Sequence, residues 1–154
     1  MAVLESTFLC SMYLDMRKPL NLGETPTGGR FIVDIIGGRV EGRVNGEVLP
    51  SGGDWLQRDR DGTRRLDIRA AIRLDDGSIA STHYTGRIHF PAEVEPFMTS
   101  RAAAAEIDPS RYYFRIAPTF ETASEKYHWL NFIQAVGVGR ITTTGVAHEL
   151  YEVL

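Results

Sequence analysis

The 154-residue sequence predicts an all-β fold: a single antiparallel β-barrel of about nine or ten strands with one or two short helices, spanning 1–154 as one domain. Three observations predict it. Apolar residues recur with a period of two along almost the whole chain, as strand faces require. Fifteen glycines and seven prolines interrupt the chain at short intervals, which suits many turns and little long helix. Gly38, Gly42 and Gly46 fall inside an alternating run, where glycine marks the bulges and bends that curl a sheet. Strands joined by tight turns pair antiparallel. That many strands in a small domain close or stack to hide their edges. A barrel of this size can hold one small ligand.

The elements follow in order. Phe8–Leu14 is a first strand, and residues 18–28 form a Pro/Gly-rich loop. Arg30–Ile36 is a second strand, bent at Gly37-Gly38, and Arg39–Leu49 alternates again. Pro50-Ser51-Gly52-Gly53 reads as a turn and Asp54–Arg58 as a short strand. Asp61-Gly62 is a hairpin signal. Beyond it Leu66, Ile68, Ala70, Ile72 and Leu74 face one way, while Arg65, Asp67, Arg69 and Arg73 face the other. Asp75-Asp76-Gly77 closes a second hairpin onto the strand Ser78–Phe90. Pro91–Pro109 lacks strand character, and its Ser100–Glu106 core favours a short helix, a lid or interface segment. Tyr112–Ala117 is a strand, Thr122–Leu130 a helical turn or two, and Phe132–Arg140 and Gly145–Val153 are the last strands.

Composition bounds the partners. Apolar residues at 43% with a net charge of −3 exclude disorder as the main state. The single cysteine, Cys10, excludes a disulfide framework and reads as a small buried filler. The mildly acidic balance argues against nucleic acid as a partner. No run approaches the ~18 apolar residues of a membrane span, and Glu5 interrupts the N-terminal apolar run before it resembles a secretory signal. The expectation is a cytoplasmic protein, without membrane or nucleic-acid partners, that forms a homodimer through an apolar outer face.

The segments Leu22–Arg30, Gly37-Gly38, Gly53-Asp54-Trp55, Asp61-Gly62, Asp75-Asp76-Gly77, Phe120-Glu121-Thr122, Tyr127-His128-Trp129-Leu130-Asn131 and Gly137-Val138-Gly139 appear in an order that covers almost the whole chain. Together they resemble the domain of unknown function 3237 family, a group of small uncharacterised proteins. The resemblance implies an antiparallel β-barrel and carries over no catalytic residue. The sequence departs from the family pattern at Ser81–Gly86.

No phosphate loop, dinucleotide fingerprint or nucleophile elbow is present. His83 and His89 share a strand face but stand roughly 20 Å apart at the ~3.3 Å strand rise, too far to share a metal. The sequence therefore predicts neither metal nor cofactor. The remaining candidates are polar side chains able to point into a barrel. Asp54 beside Trp55 is a general acid or base against an aromatic wall, or a turn cap. Arg69, with Asp67 two residues away, fixes an oxyanion if its face is the lumen and is a solvated ladder with Arg65 and Arg73 if it is not. His83 and Tyr84 are adjacent, so only one faces inward: the histidine to shuttle a proton, the tyrosine to polarise a carbonyl. Glu121 is a second acid or base, or a cap paired with Arg115 or Lys126. Trp55, Phe120, Tyr127 and Trp129 supply aromatic walls for a small hydrophobic or aromatic molecule, although core packing is the commoner use of such residues. The functional expectation is a cofactor-independent isomerase, cyclase or lyase acting by proton transfer on a hydrophobic carbonyl compound. A non-catalytic carrier or sensor with the same cavity and a filled structural barrel are the alternatives.

Overall fold

The computed structural model describes residues 1–154 and contains nine strands. They are β1 (Ser6–Met16), β2 (Leu20–Thr25), β3 (Gly28–Gly42), β4 (Gly46–Arg58), β5 (Arg64–Leu74), β6 (Ile79–His89), β7 (Tyr113–Thr122), β8 (Ala135–Ile141) and β9 (Gly145–Val153). All neighbours pair antiparallel, in the order β1-β9-β8-β7-β6-β5-β4-β3, and β1 pairs back onto β3. Eight strands thus close a barrel, and β2 adds a ninth strand beside the first half of β3. A short helix, α1 (Arg101–Ala105), and three single 3-10 turns complete the chain.

Closure depends on how β3 is shared. Its first half pairs with β2 and β4, and its second half with β1 and β4. The bend between the halves falls at Gly37-Gly38, where the β3–β4 register shifts. Gly38 has φ +140°, and a Cβ there would stand 1.9 Å from the Tyr13 carbonyl oxygen, so only glycine lets β1 approach.

The sequence reading and the structure differ in four places. The 18–28 loop contains β2, whose residues are largely exposed and carry little core signal. The Arg39–Leu49 run is two strands, because a tight turn at 43–45 lets the alternation resume on β4. Pro50–Gly53 does not reverse the chain: it is a bulge inside β4, marked by a register shift between Val48 and Gly52. Phe132 belongs to the 3-10 turn His128–Phe132 and is exposed, with β8 starting three residues later.

Of the two faces that alternation separates on β5, the apolar one is inside: Leu66, Ile68, Ala70, Ile72 and Leu74 are buried. They join Leu9, Met12, Leu14, Phe114 and Leu150 in one core. Cys10 is buried and unpaired, and burial pushes its thiol up to about 12. One barrel end is stoppered by Tyr127 and Leu130, both buried. The Tyr127 hydroxyl donates to Asp75 at 2.9 Å, and Lys126 salt-bridges the same carboxylate at 3.0 Å. The other end is covered by the segment 91–112, which includes α1.

Candidate functional site

The covered end holds a pocket of about 220 Å³ that opens to the surface. Its walls are apolar side chains from the strands, among them Val33, Leu66, Ile68, Ile88 and Phe90, and its roof is Met98 and Ala104. Four lining side chains are polar: Asp54, Arg64, Ser100 and Arg101. Ser100 is committed to the roof, where its hydroxyl accepts the Ala103 N–H at 3.1 Å and caps α1.

Asp54 enters the barrel because of the bulge that precedes it. Gly52 has φ +90°, and a Cβ there would stand 2.0 Å from the Arg69 carbonyl oxygen. The bulge re-aims the strand, as bulges beside sites do. Asp54 is 4% exposed and stands in lateral register with Val33 on β3 and Ile68 on β5. The β4–β5 pairing lapses at Trp55 and Leu56, and the Asp67 N–H donates instead to Asp54 Oδ1 at 3.0 Å. Burial raises the Asp54 carboxyl to about 7. The Asp67 N–H opposes that rise, and the Asp67 charge adds to it.

Deeper in the barrel, Tyr84 follows in the same lateral row as Asp54 and Ile68. Its hydroxyl lies 3.1 Å from His148 Nε2, and both side chains are buried. His148 packs edge-on to Tyr84 and Phe114 with ring centroids 5.4 and 5.3 Å apart. Burial holds the imidazole down at about 3, so it is neutral at ordinary pH. Burial, and secondarily the Asp54 carboxylate, hold the Tyr84 phenol well above its usual value. His148 Nδ1 has no partner. Whichever ring nitrogen carries the proton, the pair leaves one buried donor hydrogen without an acceptor.

The rim carries two arginines. Arg64 donates to Glu95 through both terminal nitrogens, each at 2.8 Å, and stacks over Phe90 at 4.7 Å. That bond holds the Glu95 carboxyl below its usual range. Arg101 donates to the Met16 and Arg17 carbonyl oxygens, both at 2.8 Å, and has no carboxylate partner. Burial alone lowers its pKa.

Of the residues singled out from sequence, Asp54 lines this cavity, and Tyr84 is buried in the same lateral row without lining it. Arg69 and His83 point outward, and the strand parity that buries Tyr84 is what turns His83 out. His83 Nε2 lies 3.1 Å from Asp67 Oδ1, and Arg69, His83 and Trp55 share an open hollow of about 380 Å³ on the outer wall. Glu121 alternates out of the barrel and is exposed. Phe120 faces inward, in register with Thr82. Tyr127 belongs to the stopper, and Trp129, half-buried, lies under the Arg43 guanidinium at 4.9 Å. Arg69, His83, Glu121 and the aromatics other than Tyr84 are therefore not brought together with Asp54. Sequence reasoning passed over His148, Arg64 and Arg101. For His148 a signal existed: it shares the strand parity of buried Leu150. No group of three or more His, Cys, Asp and Glu side chains is placed to hold a metal ion. No helix is long and apolar enough to cross a membrane.

The fold and cavity define a class, closed eight-stranded antiparallel barrels capped at one end over an internal pocket that carries a carboxyl group. Within that class, the chain belongs to the family described as protein of unknown function (DUF3237), whose model matches residues 4–153. A UPF0311 protein of Clostridium acetobutylicum is 38% identical over 122 residues, covering 78% of this chain and 75% of the relative. The crystal structure of a conserved protein of unknown function from Rhodopseudomonas palustris superposes with a TM-score of 0.91 at 28% identity, covering all of both chains. A beta-barrel like protein from Acinetobacter baumannii gives 0.85 at 31% identity, covering 99% of this chain and 98% of the other. A protein from Penicillium herquei described as an enzyme shares the fold, with a TM-score of 0.72 at 22% identity over 98% of this chain and 95% of its own.

Proposed function

We propose that the chain is a cofactor-independent enzyme that moves a proton on a small, largely apolar carbonyl compound held in the capped cavity, with Asp54 as the general acid and base. The observation that carries this reading is a single titrating group at the floor of an apolar pocket, raised to about 7. At neutral pH such a carboxyl exists in both forms, the condition under which one group can take a proton and return it. The other charged lining groups are arginines, which do not deprotonate. As carboxylate, Asp54 removes a proton from the carbon next to a carbonyl. As acid, it returns that proton to a neighbouring atom. Isomerisation, ring closure by an enol and elimination all use this pair of steps.

A carrier or sensor is expected to have a cavity without a perturbed carboxyl, and a structural barrel is expected to have no cavity. Asp54 and the 220 Å³ space weigh against these two readings respectively. The test needs no knowledge of the substrate. A panel of small cyclic ketones and lactones is incubated with protein in D₂O, and solvent deuterium entering the α-position is followed by NMR. Wild-type protein should speed incorporation for some members, and Asp54→Asn should abolish it. Incorporation that survives in Asp54→Asn rejects Asp54 as the base. Ligands that bind both proteins without exchange leave the carrier reading in its place.

A further inference from the structure

We propose that the cavity is built for an organic acid, whose carboxylate is received by Arg101 at the rim while its apolar body extends toward Asp54. The inference rests on the proton-transfer reading of the same cavity and adds the class of substrate.

The two rim arginines are handled differently. Arg64 is neutralised inside the protein by a two-pronged pair with Glu95. Arg101 has no anion, and its hydrogen bonds run to two main-chain carbonyls, which orient the guanidinium without neutralising it. A guanidinium has five N–H donors, so donors remain beyond those two bonds. A half-buried cation without a counter-ion is costly, and the usual resolution is a paired carboxylate. Here the side chain lines the cavity, so the space in front of it is where such a carboxylate would lie. The other rim charges cancel, Arg64 against Glu95, and below neutral pH Asp54 is protonated and carries no charge. The cavity then carries one net positive charge at its mouth and apolar walls below. A monoanion with a compact hydrocarbon body matches that distribution. An apolar cavity of about 150 Å³ accepts benzene, so 220 Å³ accommodates a six-membered ring with a small head group.

Two probes of nearly equal shape test this: cyclohexanecarboxylate and cyclohexanecarboxamide, titrated by calorimetry or NMR at pH 6. Wild-type protein should bind the carboxylate about tenfold or more tightly than the amide, as charge-assisted pairing predicts. Arg101→Gln should reduce the ratio to within about twofold while the amide's affinity stays the same. Arg101→Lys keeps the charge and should keep a preference for the carboxylate. That variant decides the matter if Arg101→Gln loosens the cover and weakens the amide as well. No preference in the wild type, or an undiminished one in Arg101→Gln, overturns the proposal, as does no preference in Arg101→Lys once Arg101→Gln has lost the amide. The failure of this inference is distinguishable from that of the proton-transfer reading. Deuterium exchange on uncharged ketones is compared between wild type and Asp54→Asn with Arg101 intact, whereas the carboxylate preference should persist in Asp54→Asn.

Discussion

Asp54→Asn should gain stability relative to the wild type as pH rises from 4 to 8, on top of any constant offset that the asparagine brings. The Asp54 carboxyl sits at about 7 in the folded protein and at about 3.9 in an unfolded chain. Between those values the folded state holds a proton that the unfolded state has released. Folding stability therefore falls as pH rises through this window, and is flat above it. Roughly three pH units at ~1.36 kcal/mol each give about 4 kcal/mol in all. His148 acts in the opposite direction. It titrates at about 3 when folded and at about 6.5 when unfolded. The unfolded state then holds the extra proton, so this contribution rises with pH by about 5 kcal/mol across its window. Between about pH 4 and 6.5 the two slopes offset each other, and their sum in the wild type is nearly flat. Asp54→Asn removes one slope and leaves the His148 rise. The check is urea denaturation from pH 4 to 8 for both proteins, with ΔG plotted as a difference so that every shared titration cancels. A difference that grows by about 4 kcal/mol between pH 4 and 7 fits the linkage. A difference independent of pH refutes it, whatever constant offset the asparagine brings. A carbon-13 titration of the Asp54 carboxyl gives the same value independently.

Tyr84→Phe removes the partner of His148 Nε2 and leaves both ring nitrogens unpaired. It should cost about 1–3 kcal/mol, read as a fall in melting temperature of about 2–4 °C for each kcal/mol. Gly52→Ala places a Cβ 2.0 Å from the Arg69 carbonyl oxygen at φ +90°. Backbone strain alone is worth about 1–3 kcal/mol, so the urea midpoint should fall by at least that equivalent. The Asp54 titration should move with it, since the bulge aims that side chain. Glu95→Gln breaks the two-pronged bond to Arg64. Hydrogen exchange should quicken across 91–112 and stay unchanged in β5 and β6. Equal protection of the cover in both proteins would show that the pair does not hold it down.

The barrel was legible because strand parity is a local signal. The alternation in β5 and β6 separated two faces correctly and left open which one is inside; Ile68 and Tyr84 lie on the buried one. Glycine spacing indicated closure because Gly38 must admit β1. Less could be read where the decisive contact is remote. Pro50–Gly53 has the residues of a turn, and only pairing with β3 and β5 makes it a bulge. Asp54 stood out through its neighbour Trp55, yet Trp55 faces the outer hollow and what surrounds Asp54 is aliphatic. Arg101 lies in a segment with no periodicity, and its importance comes from the Met16 and Arg17 carbonyls more than eighty residues away. Arg69 and His83 carry chemistry that would suit a site, but odd-numbered positions on those strands point outward.

The value near 7 at Asp54 is itself a balance between two features of β4. Burial among apolar walls drives the carboxyl upward, and a buried carboxyl with nothing to accept is documented at pKa values of about 8–9. An exposed one stays near 4. Neither would change charge at neutral pH. The lapse in pairing at Trp55 and Leu56 places the Asp67 N–H against Asp54 Oδ1, and that bond favours the charged form. The interruption of the ladder thus supplies the hydrogen bond that opposes burial and holds the carboxyl lower. A regular ladder here would satisfy the Asp67 N–H with a β4 carbonyl and leave the carboxyl unbonded. The irregular stretch from the Gly52 bulge to Leu56 therefore does two things at once, aiming Asp54 inward and setting the pH at which it titrates.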